Sequence, residues 1–241
     1  MNEGPMTNAA ASGQSTVAPD RAARPFQFVS CMELREVLGK RAMDEARLLE
    51  LIEEVSSDSI YYHTHSCYLR HAYAQSLYPN DFATWVAIHA HDRVLGEKLG
   101  VLDPFAYRSP EELRQDIIAI MDDHLNRNPA RYRYTTGEPF DFARSHVIEA
   151  PLNRHSWTLA EFRDAVQEVE VGALYNHLCE ARMRKTPGFD DFSYWIAAKD
   201  GLQRPELAGQ VERVVRLGLN LEGMRARIVG LCDEELRRKR S

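Results

Sequence analysis

The densest run of chemically capable side chains is SIYYHTHSCYLRH, residues 59–71, which places imidazoles, a thiol, phenols and a guanidinium within thirteen positions. In a helix turning by about 100° per residue, His63, Cys67 and Arg70 share one face, while Tyr61 and His65 point largely away from it. His63 and His65 cannot chelate one ion from an unbroken helix, because side chains two positions apart diverge by about 200°. A metal reading therefore pairs His63 with Cys67, or His65 with a group from another element such as His89, His91 or Glu54. Those ligand types suit zinc or iron, and would make the chain a metal-dependent helical enzyme.

Much of this run recurs 114 residues later. Residues 25–71 align with 139–185 without a gap, with ten identities in 47 positions, among them Pro25/Pro139, Phe26/Phe140, Phe28/Phe142, Tyr61/Tyr175, His63/His177 and Arg70/Arg184. Past a four-residue deletion, NDFATWVA at Asn80 meets DDFSYWIA at Asp190. Repeats are sought before single motifs, because they set the architecture in which every motif sits. The second copy does not keep the metal candidates: Ala181 stands for Cys67, Lys185 for His71 and Lys199 for His89, although Cys179 stands opposite His65.

Both copies retain Tyr61, His63, Arg70, Asp81 and Trp85, matched by Tyr175, His177, Arg184, Asp191 and Trp195. One account is a buried polar network in which Asp caps a helix or accepts from Arg, and His and Tyr satisfy backbone groups. The other is a groove in which His63, Arg70, His177 and Arg184 hold a phosphate or carboxylate between walls supplied by Tyr61, Trp85, Tyr175 and Trp195. No nucleophile, base and orienting group stand at a defensible spacing, and there is no glycine-rich phosphate loop, HExxH or GxSxG, so no catalytic residue is assigned.

These side chains must be positioned by helices. Each copy reads as a short extended segment with Phe at alternate positions, followed by four helices. The first helix begins at Asp44 or at Thr158, which with Glu161 forms a capping box. It carries Leu48, Leu51, Ile52 and Val55, or Phe162, Ala165, Val166 and Val169, on one face. The second runs from about Ser59 to Leu77 and from Ala173 to Lys185, and the third starts at Asn80 or Asp190. The fourth follows Ser109-Pro110-Glu111-Glu112, or Asn220. The spacing predicts an all-α fold: two tandem, pseudo-symmetric four-helix units over 25–127 and 139–241, a linker at 128–138 rich in turn formers, and a disordered tail at 1–24.

The succession F-x-F, a capped L-x-x-L-I/V helix, S/A-I/L-Y-x-H, DF-x-x-W-V/I and a closing E-x-L/M-R helix resembles an uncharacterised bacterial and archaeal family, domain of unknown function 5752. The resemblance covers Phe26 to Arg127 with SIYYH and NDFATWV, and again Phe140 to Arg238 with ALYNH and DDFSYWI. The second copy departs more, with Asn176 for the second Tyr and a shortened connection. The resemblance implies the repeat and its boundaries, and carries no activity or residue role.

A net charge of -6 and a pI near 5.9 argue against a nucleic-acid surface, which needs clustered Lys and Arg. Four cysteines without a CxxC pair do not make a disulfide framework. With no signal-peptide core and no uninterrupted apolar stretch of about 18 residues, a cytoplasmic protein without a membrane partner is expected. The expected function is a non-catalytic, cofactor-free module that binds a partner protein or a small anionic ligand. The alternatives are the iron or zinc enzyme using His63, His65, Cys67, His89 or His91, and a homo-oligomeric scaffold using Tyr62, Tyr68 and Tyr73.

Overall fold

Several helix starts in this chain, including the first of each half, are fixed by side-chain oxygens. In the computed structural model, which describes residues 21–73, 78–128, 137–184 and 190–238, the Asp44 carboxylate accepts from the Arg47 N–H at 2.7 Å and opens helix α1, Glu45–Glu54. Thr158 and Glu161 form the expected reciprocal capping box at the start of a helix at Leu159–Glu168. Both helices bury the anticipated stripe: Leu48, Leu51 and Ile52 in one, and Phe162, Ala165 and Val166 in the other. Most of the tail and linker, residues 1–20 and 129–136, lie outside the described residues.

The second helix is not continuous in either half. After α1 come α2, Ser57–Thr64, a break at His65 and Ser66, and α3, Cys67–Arg70. Residues 74–77, where the helix was expected to end, lie outside the described residues. Then follow α4, Asp81–Ile88, α5, Arg93–Gly100, and α6, Pro110–Arg127. In the second half, α7, Leu159–Glu168, precedes α8, Val171–Tyr175, a π-helical stretch Asn176–Glu180, and α9, Ala181–Arg184. It closes with α10, Asp191–Ala197, α11, Pro205–Val214, and α12, Leu221–Arg238. The expected count of four helices per unit omitted α5 and α11. Each is short and carries its buried residues, Leu95 and Leu99 or Leu207 and Val211, between the third helix and the last.

The all-α expectation is overturned. The segments read as short extended leads are 17-residue strands, β1, Phe26–Ala42, and β2, Phe140–Ser156, joined as one antiparallel two-stranded ribbon. Met32 pairs with Ile148 and Leu34 with His146, with register shifts towards both ends. The fold is mixed, with helix dominant. Alternating burial marks a strand only where one face meets a core, and here that holds at the ends alone. Phe26, Phe28, Phe140 and Phe142 are buried, whereas Met32, Leu34, Val37 and Ile148 in the middle are exposed.

The ribbon exchanges these ends. Phe26 and Phe28 pack into the apolar cluster of the second half, with Phe162, Phe192 and Trp195. Phe140 and Phe142 pack into that of the first half, with Phe82, Trp85 and Leu48. Burying one phenyl ring is worth about 1.5–3 kcal/mol before ordering costs. Four rings delivered across the molecule therefore bind the two halves into one body more firmly than a linker could.

Candidate functional site

Three recurring pairs serve this exchange: His63/His177, 114 residues apart, and Asp81/Asp191 and Trp85/Trp195, each 110 apart. Each ribbon end is a strand edge with unpaired backbone groups, and an unmet N–H at such a place is costly. His177 Nε2 accepts from the Val29 N–H at 2.8 Å, and His63 Nε2 accepts from the Ala143 N–H at 3.0 Å. Accepting at Nε2 places the proton on Nδ1, which donates to Asp191 from His177 and to Asp81 from His63, both at 2.9 Å. Burial pulls the His63 pKa below its ordinary value against the opposing effect of Asp81. Burial also works to raise Asp81, but the hydrogen bond from His63 and the charge of Arg70 outweigh it and hold the carboxyl below its usual range.

The tryptophans complete the clamp. Trp85 Nε1 donates to the Glu138 carbonyl and Trp195 Nε1 to that of Arg24, each at 2.8 Å and each just ahead of the strand that the neighbouring His grips. Arg70 bonds Asp81, donates to the Tyr62 carbonyl at 3.1 Å and lies 4.1 Å from the centre of the Tyr62 ring. The side chain of Arg184 lies outside the described residues. In the second half Asn176 replaces the stacked tyrosine, and a cleft of ≈ 280 Å³ opens beside Arg24, His177, Asp191, Tyr194 and Trp195.

The metal candidates are dispersed among other roles. His65 is buried, with its ring nitrogens against Thr64 Oγ1 at 2.9 Å and the Pro104 carbonyl at 3.2 Å, and burial pushes its pKa down to about 4. The Cys67 sulfur sits 3.2 Å from His71 Nδ1, and burial raises its thiol pKa. His89 caps the end of α4, and His91 takes a positive φ of 57° in the following loop. Among the described residues, no three or more His, Cys, Asp or Glu side chains are grouped to hold a metal ion.

Tyr61 and Tyr175 meet beneath the middle of the ribbon, hydroxyl to hydroxyl at 2.7 Å. Around this pair the chain loses its internal likeness. On one side Tyr61 donates to Glu180, and a cleft of ≈ 500 Å³ opens, lined by Ser57, Asp58, Tyr61, Ser145, His146 and Glu180 together with Pro110, Val147 and Met183. Burial raises the Glu180 pKa, opposed by the tyrosine hydrogen bond and reinforced by the charge of Glu33.

The positions 114 residues from six of these lining groups are Val171, Gly172, Tyr175, Cys31, Met32 and Ser66; there Gly172, Tyr175, Cys31 and Ser66 are buried, Val171 is half-buried and Met32 is exposed. Cys31 and Val171 belong to the apolar cluster, and Cys31 Sγ donates to the Gly172 carbonyl at 3.4 Å. A Cβ on Gly172 would stand 2.6 Å from the Cys31 carbonyl oxygen, so only glycine lets α8 lie this close to β1. Asp58 and Ser145 occupy the matching places in the first half, and there the cleft opens. Sequence reasoning missed Asp58, Ser145, His146 and Glu180. The signal was present as polar residues opposite glycine, cysteine, methionine and serine, but it lacked the concentration of histidines that marks residues 59–71.

Among the described residues, no helix is long and apolar enough to cross a membrane. No curated protein matches the chain. The solved structure of OrfY from Thermoproteus tenax is similar, with a TM-score of 0.74 at 24% identity, over 90% of this chain and 98% of that one, a likeness of fold. The model of a family of unknown function, DUF5752, matches residues 23–233 in one span across both halves, and the chain belongs to that family.

Proposed function

We propose that the chain is two copies of one strand-and-helix unit, joined by exchange of their strands, and that it works in the cytoplasm as a non-catalytic module. Its ligand is a small polar molecule, seated in the cleft over Tyr61 and Glu180. One observation carries this reading: a cleft opens among polar groups on one side of the central tyrosine pair, whereas at the corresponding place on the other Cys31, Ser66, Gly172 and Tyr175 are buried and Val171 packs against the apolar cluster. A structural unit used twice would pack both sides alike; leaving one open exposes polar groups and forfeits packing, a cost that a ligand seat explains. The buried state of all four cysteines fits a reducing compartment.

The cleft favours a small ligand over a partner protein because it is concave and lies beneath a ribbon. It also displaces the His-Arg sets as the seat, since both ring nitrogens of His63 and of His177 are occupied within the protein. The test is ligand-observed NMR with small polar fragments of positive, neutral and negative charge, on the native chain and on His146→Trp. His146 is exposed, so an indole there covers the cleft mouth without entering a core. Fragments that bind the native chain and are lost in His146→Trp support the seat. Absence of any such fragment, whatever its charge, overturns it.

A further inference from the structure

From the groups that line this cleft, we infer that its ligand is a primary amine, with the ammonium held by Glu180, Ser145 and Tyr61 and the remainder reaching towards Asp58. The inference rests on the cleft being the ligand seat, and names what sits there. Two of the lining residues, Asp58 and Glu180, carry carboxyl groups, and none is Lys or Arg. The neighbouring cation, Arg144, is held by both oxygens of Glu36 at 2.8 and 3.2 Å, and His146 lies 3.5 Å from the same carboxylate. An anionic ligand would therefore meet two carboxyl groups and, among the described residues, no lining Lys or Arg.

Two oxygens here await a donor. Ser145 Oγ, on the cleft wall, is buried with no hydrogen-bond partner, and so is Glu33 Oε1, on the residue paired in the ribbon with the lining Val147. Buried polar oxygens in that condition cost free energy until a donor reaches them. An ammonium brings three N–H donors and a positive charge. One donor can meet Glu180, one Ser145 once its χ1 turns the hydroxyl to the cleft, and one the remaining lone pair of the Tyr61 oxygen, whose own proton is already given to Glu180. Glu33 behind the wall, paired with Arg70 at 3.8 Å, adds a partly neutralised negative charge, and the Tyr61 ring, Pro110 and Met183 offer apolar surface to a short alkyl chain.

The experiment uses three four-carbon probes of similar length: 1,4-diaminobutane, erythritol and succinate. Each is titrated calorimetrically into the native chain, Glu180→Gln, Asp58→Asn and His146→Trp, with thermal melts to establish that each variant is folded. The diamine is expected to bind the native chain at one site and to weaken at least tenfold in Glu180→Gln. It should weaken severalfold in Asp58→Asn, an exposed position whose change does not threaten the fold, and bind undetectably in His146→Trp. Binding of erythritol or succinate in place of the diamine, lost in His146→Trp, keeps the cleft as a seat and overturns the amine. Diamine binding unaltered in Glu180→Gln and Asp58→Asn also overturns it. No binding by any of the three overturns the amine, and the fragment screen then decides the seat separately.

Discussion

The hydroxyl of Tyr61 lies 2.7 Å from that of Tyr175, so two residues 114 positions apart in the chain meet oxygen to oxygen under the ribbon. Two like groups can share only one bond directly, and the remaining proton of the pair goes from Tyr61 to Glu180. Ser66, at the position matching Glu180, lies 3.4 Å from the Tyr175 oxygen. The pair therefore has a direction, set by which side carries the carboxyl group.

That direction makes the two tyrosines unequal to mutation. Tyr175→Phe removes one hydrogen bond and leaves Tyr61 bonded to Glu180, for an expected loss of about 1–2 kcal/mol. Tyr61→Phe strips the donor from a partly buried carboxyl group as well, and about 2–3 kcal/mol is expected. Chemical denaturation of both single variants and the double variant checks this. The double should cost less than the sum by at least ~0.5 kcal/mol, as contacting groups in one network do; strict additivity would mean that the hydroxyls do not interact.

The tryptophan clamps predict large and comparable losses. Trp85 and Trp195 are both buried, pack on Phe140 and Phe26, and bond a backbone carbonyl at 2.8 Å. Trp85→Ala and Trp195→Ala should each cost about 3–5 kcal/mol in denaturant unfolding. Trp85→Phe retains a ring and loses the N–H, so a smaller loss of about 1–2 kcal/mol is expected. Equal loss in Phe and Ala variants would show that the bond to Glu138 matters more than the ring.

His65 gives the fold a pH dependence of known sign. Burial lowers its pKa from 6.5 to about 4, so between those values the unfolded chain binds a proton that the folded chain refuses. Stability is then full above about pH 6.5 and falls as the pH is lowered towards 4, by about 3 kcal/mol for this one group. His63, also lowered by burial, adds in the same direction. Urea unfolding of His65→Gln across that range should show a shallower decline than the native chain, without abolishing it. An unchanged slope would place the titration elsewhere.

Capped helices were legible in the sequence because their signals are local: Asp44, Thr158 with Glu161, and Ser109 ahead of Pro110 each act within one turn. The ribbon was not, since its identity depends on a partner strand over 100 residues away and its exposed middle, ELREVLG in β1, has the composition of a helix. The Tyr-His-Arg-Asp-Trp set is visible when residues 25–71 are aligned with 139–185 and Asn80 with Asp190, but its use is not. What His63 binds is the backbone of Ala143, which no side-chain pattern announces. The break at His65 and Ser66 and the π-helical stretch after Tyr175 likewise fall within a run whose apolar and polar spacing reads as one continuous helix.

Gly172 tests why the two sides of the tyrosine pair differ. An added Cβ would stand 2.6 Å from the Cys31 carbonyl oxygen and 2.7 Å from Ser30 Oγ, and the first of these is backbone that cannot rotate away. In Gly172→Ala, α8 must lift from β1, weakening the Cys31 thiol bond to the Gly172 carbonyl and loosening the cluster around Val171 and Leu221. The expected cost is about 1–3 kcal/mol, as for other overpacked sites. Asp58→Gly, at the matching place in the first half, relieves no such contact and should cost under about 1 kcal/mol through chain entropy in a helix. Amide hydrogen exchange locates the effect: Gly172→Ala should speed exchange in β1 near Cys31, whereas Asp58→Gly should leave that strand unchanged. Equal and small effects in both variants would mean that the closeness of helix and strand at Gly172 is not what sets the two sides apart.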